Sequence, residues 1–418
     1  MPSGRPQPDL PAAATCCIAG GGPAGMVLGL LLARAGVDVV VLEKHADFLR
    51  DFRGDTLHPS TLEVMHELGL DAGLLKLPHQ KLRQLSAEIG TFKTVVADFS
   101  HLPVSHPYIV LMPQWDFLNF LAGEGRKYPN FTCRMDCEAT GLVEREGRIV
   151  GLRVQEAELE HEIRADLVVD ATGRGSTLRT AAGLPVENLG APIDVFWFRL
   201  SRQPGDTDET GGRFDRGGAL VRIYRGDYWQ CAYVIPKGQA DAIRSRGIES
   251  FRDVLASLLP FEAARLSELR SFDDVKLLSV TVDRPRKWFR PGFLCIGDSA
   301  HAMSPIGGVG INLAIQDAVA AGNILAGPLL RDALASADLE MVQKRRMFPT
   351  RLTQAAQIFI QDNVLAPALG GAGETRPPLA VRLLARFPLL RRIPARLVGM
   401  GVRPEHVALR SPIAHVRA

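Results

Sequence analysis

Residues 15–44 read TCCIAGGGPAGMVLGLLLARAGVDVVVLEK. A short apolar run is followed by a glycine-rich turn, an apolar stretch of helical length and a second run of β-branched residues, which is the order of a βαβ unit. Gly20 permits a tight turn, Gly22 lets the backbone approach a phosphate, and Gly25 lets the helix pack closely on the strand. The pattern predicts a dinucleotide-binding fold built around this segment.

The residues that follow the turn indicate the ligand. The amides near Ala24 and Gly25, just after Pro23, would open the helix and point at a pyrophosphate, which the helix dipole favours. Glu43 comes 18 residues after Gly25, where its carboxylate can accept hydrogen bonds from both ribose hydroxyls. A 2′-phosphate there would face a like charge, so we expect FAD or NAD. Lys44 is grouped with these nucleotide-binding residues.

The composition of the whole chain narrows its class. Its 418 residues suit two interleaved domains, and 49 basic against 46 acidic residues give a net charge of +3, which does not indicate a nucleic-acid partner. The N-terminal MPSGRPQPDLPAA contains no apolar core, so we interpret it as a flexible lead-in and expect a cytoplasmic protein. The six cysteines follow neither a zinc pattern nor a disulfide framework, and we predict no metal.

Two further features lie between the first motif and residue 114. Arg53 and Gly54 form a turn before a helix, and Arg53 could reach the same pyrophosphate from its far side. From residue 84 the apolar residues alternate, which predicts antiparallel strands and the start of a second domain. Helical spacing returns at Gln114.

A second motif, ADLVVDATGRGSTLR, occupies residues 165–179. It predicts a strand that ends at Asp170, then a turn of small residues through Thr172 and Gly173. Small residues at the carboxyl end of a strand leave room for a ligand, which is where open α/β sheets bind them.

The third motif covers residues 290–325, RPGFLCIGDSAHAMSPIGGVGINLAIQDAVAAGNIL. Asp298 follows a predicted buried strand and could accept a hydrogen bond from a sugar or ribityl hydroxyl. Gly307, Gly308 and Gly310 precede a long helix from Ile311, so their backbone amides would stabilise negative charge that develops on a flat ring.

Residues 191–285 alternate like a β-meander and are rich in aromatic side chains. One face of this sheet would fill a core and the other would roof a flat apolar pocket, and the alternation does not decide which is which. We take as the expected pocket lining Phe196, Phe198, Tyr224 and Tyr233 of the sheet, with Pro305 of the glycine-rich loop.

The last segment singled out, residues 377–410, holds seven arginines and one acid, Glu405. Such a stretch either docks on its own domain with solvated arginines or lies on an anionic membrane. Prolines at 388 and 394 divide it into short helices. A homodimer is a further open prediction.

With these three motifs, the sequence resembles the para-hydroxybenzoate hydroxylase-like class A flavoprotein monooxygenases. The resemblance extends from Thr15 to about Leu330. The most specific parts are GGGPAG with Glu43, the turn at Arg53, FLCIGDSAHAMSP, and PxGxxGxN from Pro305. The resemblance implies an α/β fold, in which a Rossmann-like FAD-binding domain of the GR2 type is interleaved with a smaller antiparallel-sheet substrate domain and followed by C-terminal helices. It also implies FAD as cofactor and NADPH or NADH as co-substrate.

The predicted domain bounds follow this scheme. The FAD-binding domain takes residues 1–83, 113–190 and 286–330, the substrate domain takes 84–112 and 191–285, and the C-terminal helices take 331–418.

The resemblance also assigns roles to single residues. It places Arg53 at the pyrophosphate, Gln114 against FAD, and Asp298 at the ribityl region. The loop through Asn312 would hold the isoalloxazine, with Pro305 towards the substrate.

One position departs from the family pattern. Thr172, next to Gly173, stands where an aspartate is usual, and that aspartate serves the interaction with FAD and NAD(P)H. The variant is similar to flavoenzymes with Ala-Thr-Gly or Ala-Ser-Gly at this turn.

The activity implied is transfer of one oxygen atom from O2, through a flavin C4a-hydroperoxide, to an aromatic or other electron-rich small molecule. Candidate bases for deprotonating a phenol are His101, His106, Tyr224 and Tyr228, while His301 is interpreted as structural. Two alternatives stay open: a flavin-dependent reductase or dehydrogenase of an alkene or isoprenoid-type substrate, and a non-enzymatic flavin-binding protein.

Overall fold

The computed structural model describes residues 10–49, 56–206, 209–215, 218–259, 263–365 and 377–409, with only the backbone at position 364. Arg53 and Gly54 lie outside the described residues, so their predicted contact with a pyrophosphate stays a prediction.

Twenty strands are assigned in the described ranges. In chain order they are β1 Ala13–Ala19, β2 Val39–Leu42, β3 Thr56–Leu57, β4 Gln80–Leu82, β5 Gln84–Ile89, β6 Phe92–Asp98, β7 Ile109–Leu111, β8 Phe131–Arg134, β9 Cys137–Arg145, β10 Arg148–Glu156, β11 Leu159–Asp170, β12 Val186–Asn188, β13 Ile193–Ser201, β14 Gly211–Asp215, β15 Gly218–Tyr224, β16 Tyr228–Pro236, β17 Lys276–Leu278, β18 Asp283–Pro285, β19 Phe289–Arg290 and β20 Phe293–Cys295.

The α-helices of the same ranges number eleven. They are α1 Pro23–Ala35, α2 Pro59–Glu67, α3 Asp71–Leu74, α4 Gln114–Gly125, α5 Thr177–Ala181, α6 Ala240–Arg244, α7 Gly247–Leu258, α8 Gly310–Leu330, α9 Ser336–Ile360, α10 Leu379–Arg386 and α11 Arg392–Gly399. Short 3-10 turns include Phe99–His101, Gly297–Ser299, Ile306–Gly308 and Pro388–Arg391, and a π-helical turn covers Gln361–Leu365.

The nucleotide-binding part is an eight-stranded sheet with β1 at its centre. Its main path runs β19-β20-β11-β1-β2-β8, and the pairs among β20, β11, β1, β2 and β8 are parallel. The β1 residues from Cys16 to Ala19 are wholly buried, which explains why this strand reads as a continuous apolar run. The long β11 continues beyond the parallel region and pairs with β10, which pairs with β9.

Helix α8 contributes to the core of this part. By length and composition, residues Ile306–Leu330 would be apolar enough to cross a membrane, but 72% of the most apolar stretch is buried. Helix α8 packs against α1 and α9, so its apolarity is accounted for by contacts within the protein.

The second part is a seven-stranded sheet in the order β17-β13-β16-β15-β14-β5-β6. Strands from residues 84–98 and 193–278 therefore share one sheet, and all its pairs are antiparallel except β14 with β5. Strand β7, which the predicted bounds group with this sheet, instead pairs with β3 and β4. The other domain bounds stay predictions.

Each face of the seven-stranded sheet packs on a different cluster. On one face, Phe196, Phe198 and Leu220 pack with Phe251 and Leu255 of α7. On the other face, Val195, Val221 and Val234 form a cluster that includes Ile306, next to Pro305. The second face is therefore the one that meets the glycine-rich loop of the third motif.

Candidate functional site

The turn after β1 has no room for side chains. Gly20 has φ +107°, and a Cβ built there would lie 2.3 Å from the carbonyl oxygen of Ala171. A Cβ at Gly25 would lie 2.0 Å from the carbonyl oxygen of Gly20. The tight turn and the close approach of helix to strand that the sequence predicted are both present.

Gly22, by contrast, borders open space. It is the N-cap of α1, and among the described residues other than its chain neighbours no atom lies within 4 Å of a Cβ built on it. The cap makes no side-chain hydrogen bond and Pro23 occupies the first turn, so the following amides of Ala24 and Gly25 lack intrahelical partners. Backbone amides without intrahelical partners, beside open space at a helix N-terminus, fit a phosphate group.

Glu43 lies beside this turn. Its carboxylate is buried and accepts hydrogen bonds from the amide of Gly21 at 3.2 Å and the amide of His45 at 3.1 Å, and it contacts His45 Nδ1 at 2.6 Å. The acid is therefore held against the glycine-rich turn, and its contact with a ribose stays a prediction. Lys44 instead points to the surface and pairs with Glu138 at 3.8 Å.

The second motif is organised by Asp170, the last residue of β11. Burial raises the pKa of this carboxyl, which accepts hydrogen bonds from the Thr172 amide at 3.0 Å, the Thr172 hydroxyl at 2.7 Å and the Ser176 hydroxyl at 2.6 Å. The carboxylate of Asp170 is thus bonded within the turn, and Thr172 serves it as a donor, while the consequence of Thr172 for the handling of NAD(P)H stays open. Gly173 has φ +91° and open space at its Cβ position.

The third motif packs directly onto the first. A Cβ built on Gly297 would lie 3.2 Å from the Cβ atoms of both Ala24 and Ala314, so this glycine brings the first turn of α1 and helix α8 together. The next residue, Asp298, accepts a hydrogen bond from Arg174 Nε at 2.9 Å. Arg174 also donates to the carbonyl of Met303 at 2.9 Å, which ties the second motif to the third. Sequence reasoning missed Arg174, although it directly follows Gly173.

Two residues of the glycine-rich loop before α8 have a left-handed backbone conformation, which glycine adopts more easily than other residues. Gly307 and Gly308 have φ of +77° and +63°, and a Cβ on Gly308 would lie 2.7 Å from Thr56 Oγ1. The N-terminus of α8 at Gly310 has no side-chain cap, and the space at the Gly310 Cβ position is open. That these amides stabilise a ring that gains negative charge stays a prediction.

The side chain of Asn312 holds this loop from within. Its Oδ1 accepts hydrogen bonds from the His58 amide at 2.8 Å and the Thr61 hydroxyl at 2.7 Å, and its Nδ2 donates to the Gly308 carbonyl at 3.2 Å. Because these partners join α8 to the start of α2, the role that the structure gives to the side chain is positioning of the loop. Direct contact of Asn312 or Gln114 with a cofactor stays a prediction.

A buried charge network fixes the turn at Gly297. Asp317 of α8 accepts hydrogen bonds from the Gly297 amide at 3.1 Å and Arg346 Nε at 2.9 Å, and contacts His301 Nε2 at 2.5 Å. Burial by itself would raise the pKa of the Asp317 carboxyl, but His301 and Arg346 hold that pKa below its ordinary value. The interpretation of His301 as structural agrees with these contacts.

The aromatic residues predicted to line the pocket lie on the face of the sheet that is turned away from the glycine-rich loop. Phe196, Phe198 and Tyr233 are buried in the cluster with α7, and Tyr224 packs against that same cluster. They fill a core because β13, β15 and β16 are covered by helices on that face. The residues that face Ile306 are their neighbours of opposite parity, Val195, Trp197, Val221, Ala232 and Val234. An aromatic count could not have separated the two faces, since both are apolar.

Among the sheet residues named above that face Ile306, Trp197 is the one whose side chain carries a hydrogen-bond donor. Its indole nitrogen is buried and has no hydrogen-bond partner among the described residues. A buried N–H without a partner is costly, so this donor is available to a ligand oxygen.

The candidate bases do not converge on the loop-facing cluster. His101 is exposed, Tyr224 is on the α7 side, and Tyr228 lies under the guanidinium of Arg199. His106 Nε2 contacts Asp71 Oδ2 at 2.9 Å, as does His66 Nδ1, and these atoms form the one group with metal-ligand spacing in the described ranges. The structure assigns none of the four to the flavin-side site.

Comparison with known proteins decides the family. The family model described as FAD binding domain matches residues 13–356. The chain belongs to this family. The 6-methylpretetramide 4-monooxygenase of Streptomyces rimosus is 33% identical over 400 residues, covering 94% of each chain.

Two further comparisons extend this result. The 12-dehydrotetracycline 5-monooxygenase/anhydrotetracycline 6-monooxygenase of Streptomyces rimosus subsp. rimosus is 29% identical, over 73% of this chain and 61% of its own length. The crystal structure of PqsL, a probable FAD-dependent monooxygenase from Pseudomonas aeruginosa, matches the fold with a TM-score of 0.72 at 21% identity, over 86% of this chain and 99% of its own.

The predicted α/β fold, FAD as cofactor and the monooxygenase activity are thereby confirmed. The protein is an FAD-dependent monooxygenase, with NAD(P)H as the co-substrate typical of the class. The glycine turn, the open volume at Gly22 and the uncapped helix α1 fit the diphosphate of this cofactor.

Proposed function

We propose that this enzyme hydroxylates a fused-ring phenol related to 6-methylpretetramide. The single observation that supports this substrate class best is the relative of that name, which matches 94% of this chain and 94% of its own length. A match of this extent covers the substrate-side sheet as well as the FAD-binding part.

The chain's own residues would divide the work as follows. The amides at the start of α1 bind the pyrophosphate, and Glu43 accepts from the ribose. The amides of the loop from Gly307 and the N-terminus of α8 stabilise negative charge on the ring. Bound FAD would supply the redox chemistry, since it can accept electrons from NAD(P)H and pass them to O2.

The loop-facing side of the sheet would receive the substrate. On that side Ile306 packs against Val195, Val221 and Val234. An aromatic ring system would therefore lie between an apolar sheet and the glycine-rich loop at residues 305–310, called the flavin loop below. Burial of flat apolar surface against these residues excludes water from the reacting carbon. The Trp197 N–H would donate to a substrate oxygen and set its orientation.

The location is inferred from the same function. We infer that the enzyme works in the cytoplasm, where NAD(P)H is available; a homodimer stays a prediction.

The experiment is an ¹⁸O2 incubation of the purified enzyme with FAD, NADPH and 6-methylpretetramide. We expect one ¹⁸O atom in the product and NADPH oxidation that depends on the phenol. Label-free product, or reduction of the substrate without oxygen consumption, would contradict the proposal. The Trp197→Phe variant should retain FAD and raise KM.

A further inference from the structure

The C-terminal helical pair, residues 379–399, exposes apolar side chains in a regular pattern. Those of α10 and its end are Leu379, Leu383 and Phe387, exposed by 69%, 41% and 50%. Those of the following turn and α11 are Leu389, Ile393 and Leu397, exposed by 70%, 59% and 55%. In each set the residues are four apart, which places helical neighbours on one face.

The inner face of the pair is already docked. Ala395 and Met400 are buried with Phe99 and Leu102, and a Cβ built on Gly399 would lie 2.9 Å from Leu102 Cδ1. The carbonyl of Val398 contacts His58 Nδ1 at 2.7 Å. The exposed apolar residues therefore lie on the outward side of a segment that is firmly attached to the enzyme.

Within residues 377–404 the charged side chains have a single sign. Arginines alternate with the exposed apolar residues, and the first acid after residue 377 is Glu405, which is buried and paired with Arg345 and Arg346. Four arginines of the pair flank the apolar side chains: Arg382, Arg386, Arg392 and Arg396. Among the described residues, none of the four has an acidic partner.

This charge pattern favours one of the partners that could cover the exposed apolar face, a second copy of the chain or a lipid surface. A two-fold dimer through this surface would bring the same arginines of both copies together, and like charges across an interface oppose association. An occupant must be anionic and must also accept six large apolar side chains. An amphipathic helix with apolar residues on one side and arginines beside them is typical of helices that lie in a lipid headgroup region.

We infer that the C-terminal helical pair docks the enzyme on an anionic lipid membrane surface. The prolines at 388 and 394 keep both helices short, so the pair lies along the surface and does not span it. The leucines, Ile393 and Phe387 enter the headgroup region, and the arginines contact lipid phosphates. This proposal does not depend on the identity of the substrate.

The attachment has a consequence for the site. The cluster that buries Ala395 and Met400 also includes Ile223 of β15, on the sheet face that meets the flavin loop. The docked surface is therefore joined through one layer of side chains to the substrate side of the enzyme.

The test is flotation of the purified FAD-loaded enzyme with two kinds of vesicle, one of phosphatidylglycerol and phosphatidylcholine in equal parts and one of phosphatidylcholine alone. We expect binding to the anionic vesicles, at least about tenfold weaker binding to the neutral ones, and loss of binding as salt rises to about 0.5 M.

Matched variants locate the surface. A Leu389→Glu/Ile393→Glu double variant and an Arg392→Gln/Arg396→Gln double variant should each lose vesicle binding while keeping bound FAD and the wild-type circular dichroism spectrum. Leu159→Glu, at a leucine exposed by 64% in the β10–β11 hairpin, should bind as wild type does.

Three results would overturn the proposal. The first is equal binding to both vesicles or to neither, and the second is loss of binding in Leu159→Glu. The third is light scattering that shows a dimer which Leu389→Glu/Ile393→Glu converts to a monomer, because the surface would then be a self-interface.

Discussion

The glycine turn after β1 and the aromatic strand β13 are constrained in different ways. At the turn, a Cβ on Gly25 would lie 2.0 Å from a backbone oxygen, so one residue type fits. Along β13, Trp197 and Phe198 point to opposite faces, and both faces are apolar. The first constraint is steric and local to the chain, whereas the second depends on which helix or loop covers each face.

The largest expected effect concerns the open volume at the turn. Gly22→Leu should fold, because no atom of the described residues beyond its chain neighbours lies within 4 Å of the Cβ position. It should lower FAD affinity at least about a thousandfold, or about 4 kcal/mol, by filling the phosphate position. The measurement is flavin fluorescence titration of the apoprotein. Gly123→Leu, on the exposed side of α4 with equal space at its Cβ, is the control. Wild-type affinity in Gly22→Leu would disprove the phosphate cradle.

The second prediction compares neighbouring arginines of α9. Arg346→Met should lower the free energy of unfolding by about 3–5 kcal/mol, since it leaves the Asp317 carboxylate buried without its guanidinium partner. Arg345→Met removes a half-exposed partner of Glu405 and should cost about 1 kcal/mol or less. Urea unfolding measures both, and equal costs would show that the buried network does not hold the turn at Gly297.

The third prediction concerns pH. Burial lowers the pKa of His58 to about 4, while the unfolded chain has the ordinary value of 6.5. Between these values the unfolded state binds a proton that the folded state does not, so stability falls as pH drops from 6.5 to 4, by on the order of 3 kcal/mol. Urea unfolding across this range, in wild type and His58→Gln, checks it. An unchanged slope in His58→Gln would assign the pH dependence to other groups.

The smallest effect separates the two sheet faces. Trp197→Leu should raise KM about tenfold, or about 1.4 kcal/mol, because Trp197 faces the glycine-rich loop at Ile306. Phe198→Leu should leave KM near wild type and lower stability by about 1–2 kcal/mol. Steady-state kinetics and thermal unfolding of the pair decide the matter. The reverse pattern would restore the α7 side as the substrate side.

The same contrast explains what the sequence could predict. Gly20, Gly25 and Gly297 are forced by contacts below van der Waals distance or by positive φ, and Glu43 is tied to the turn by a short strand, so local patterns were sufficient. The sequence also indicated the two-part fold, because buried parallel strands and alternating antiparallel strands differ in period.

The remaining features depend on long-range packing. Asn312 is bonded to His58 and Thr61, about 250 residues earlier in the chain, so its inward orientation could not be inferred from the loop alone. The parity of β13 is decided by α7 and by the loop at Ile306. The donor role of Thr172 depends on Asp170 being buried at the end of β11.

The most direct test of the FAD-dependent monooxygenase assignment is the visible spectrum of the purified enzyme, recorded anaerobically before and after NADPH, with and without 6-methylpretetramide. We expect a bound-flavin spectrum that NADPH bleaches, faster when the phenol is present. A protein that holds no flavin, or one whose flavin stays oxidised under both conditions, would contradict it.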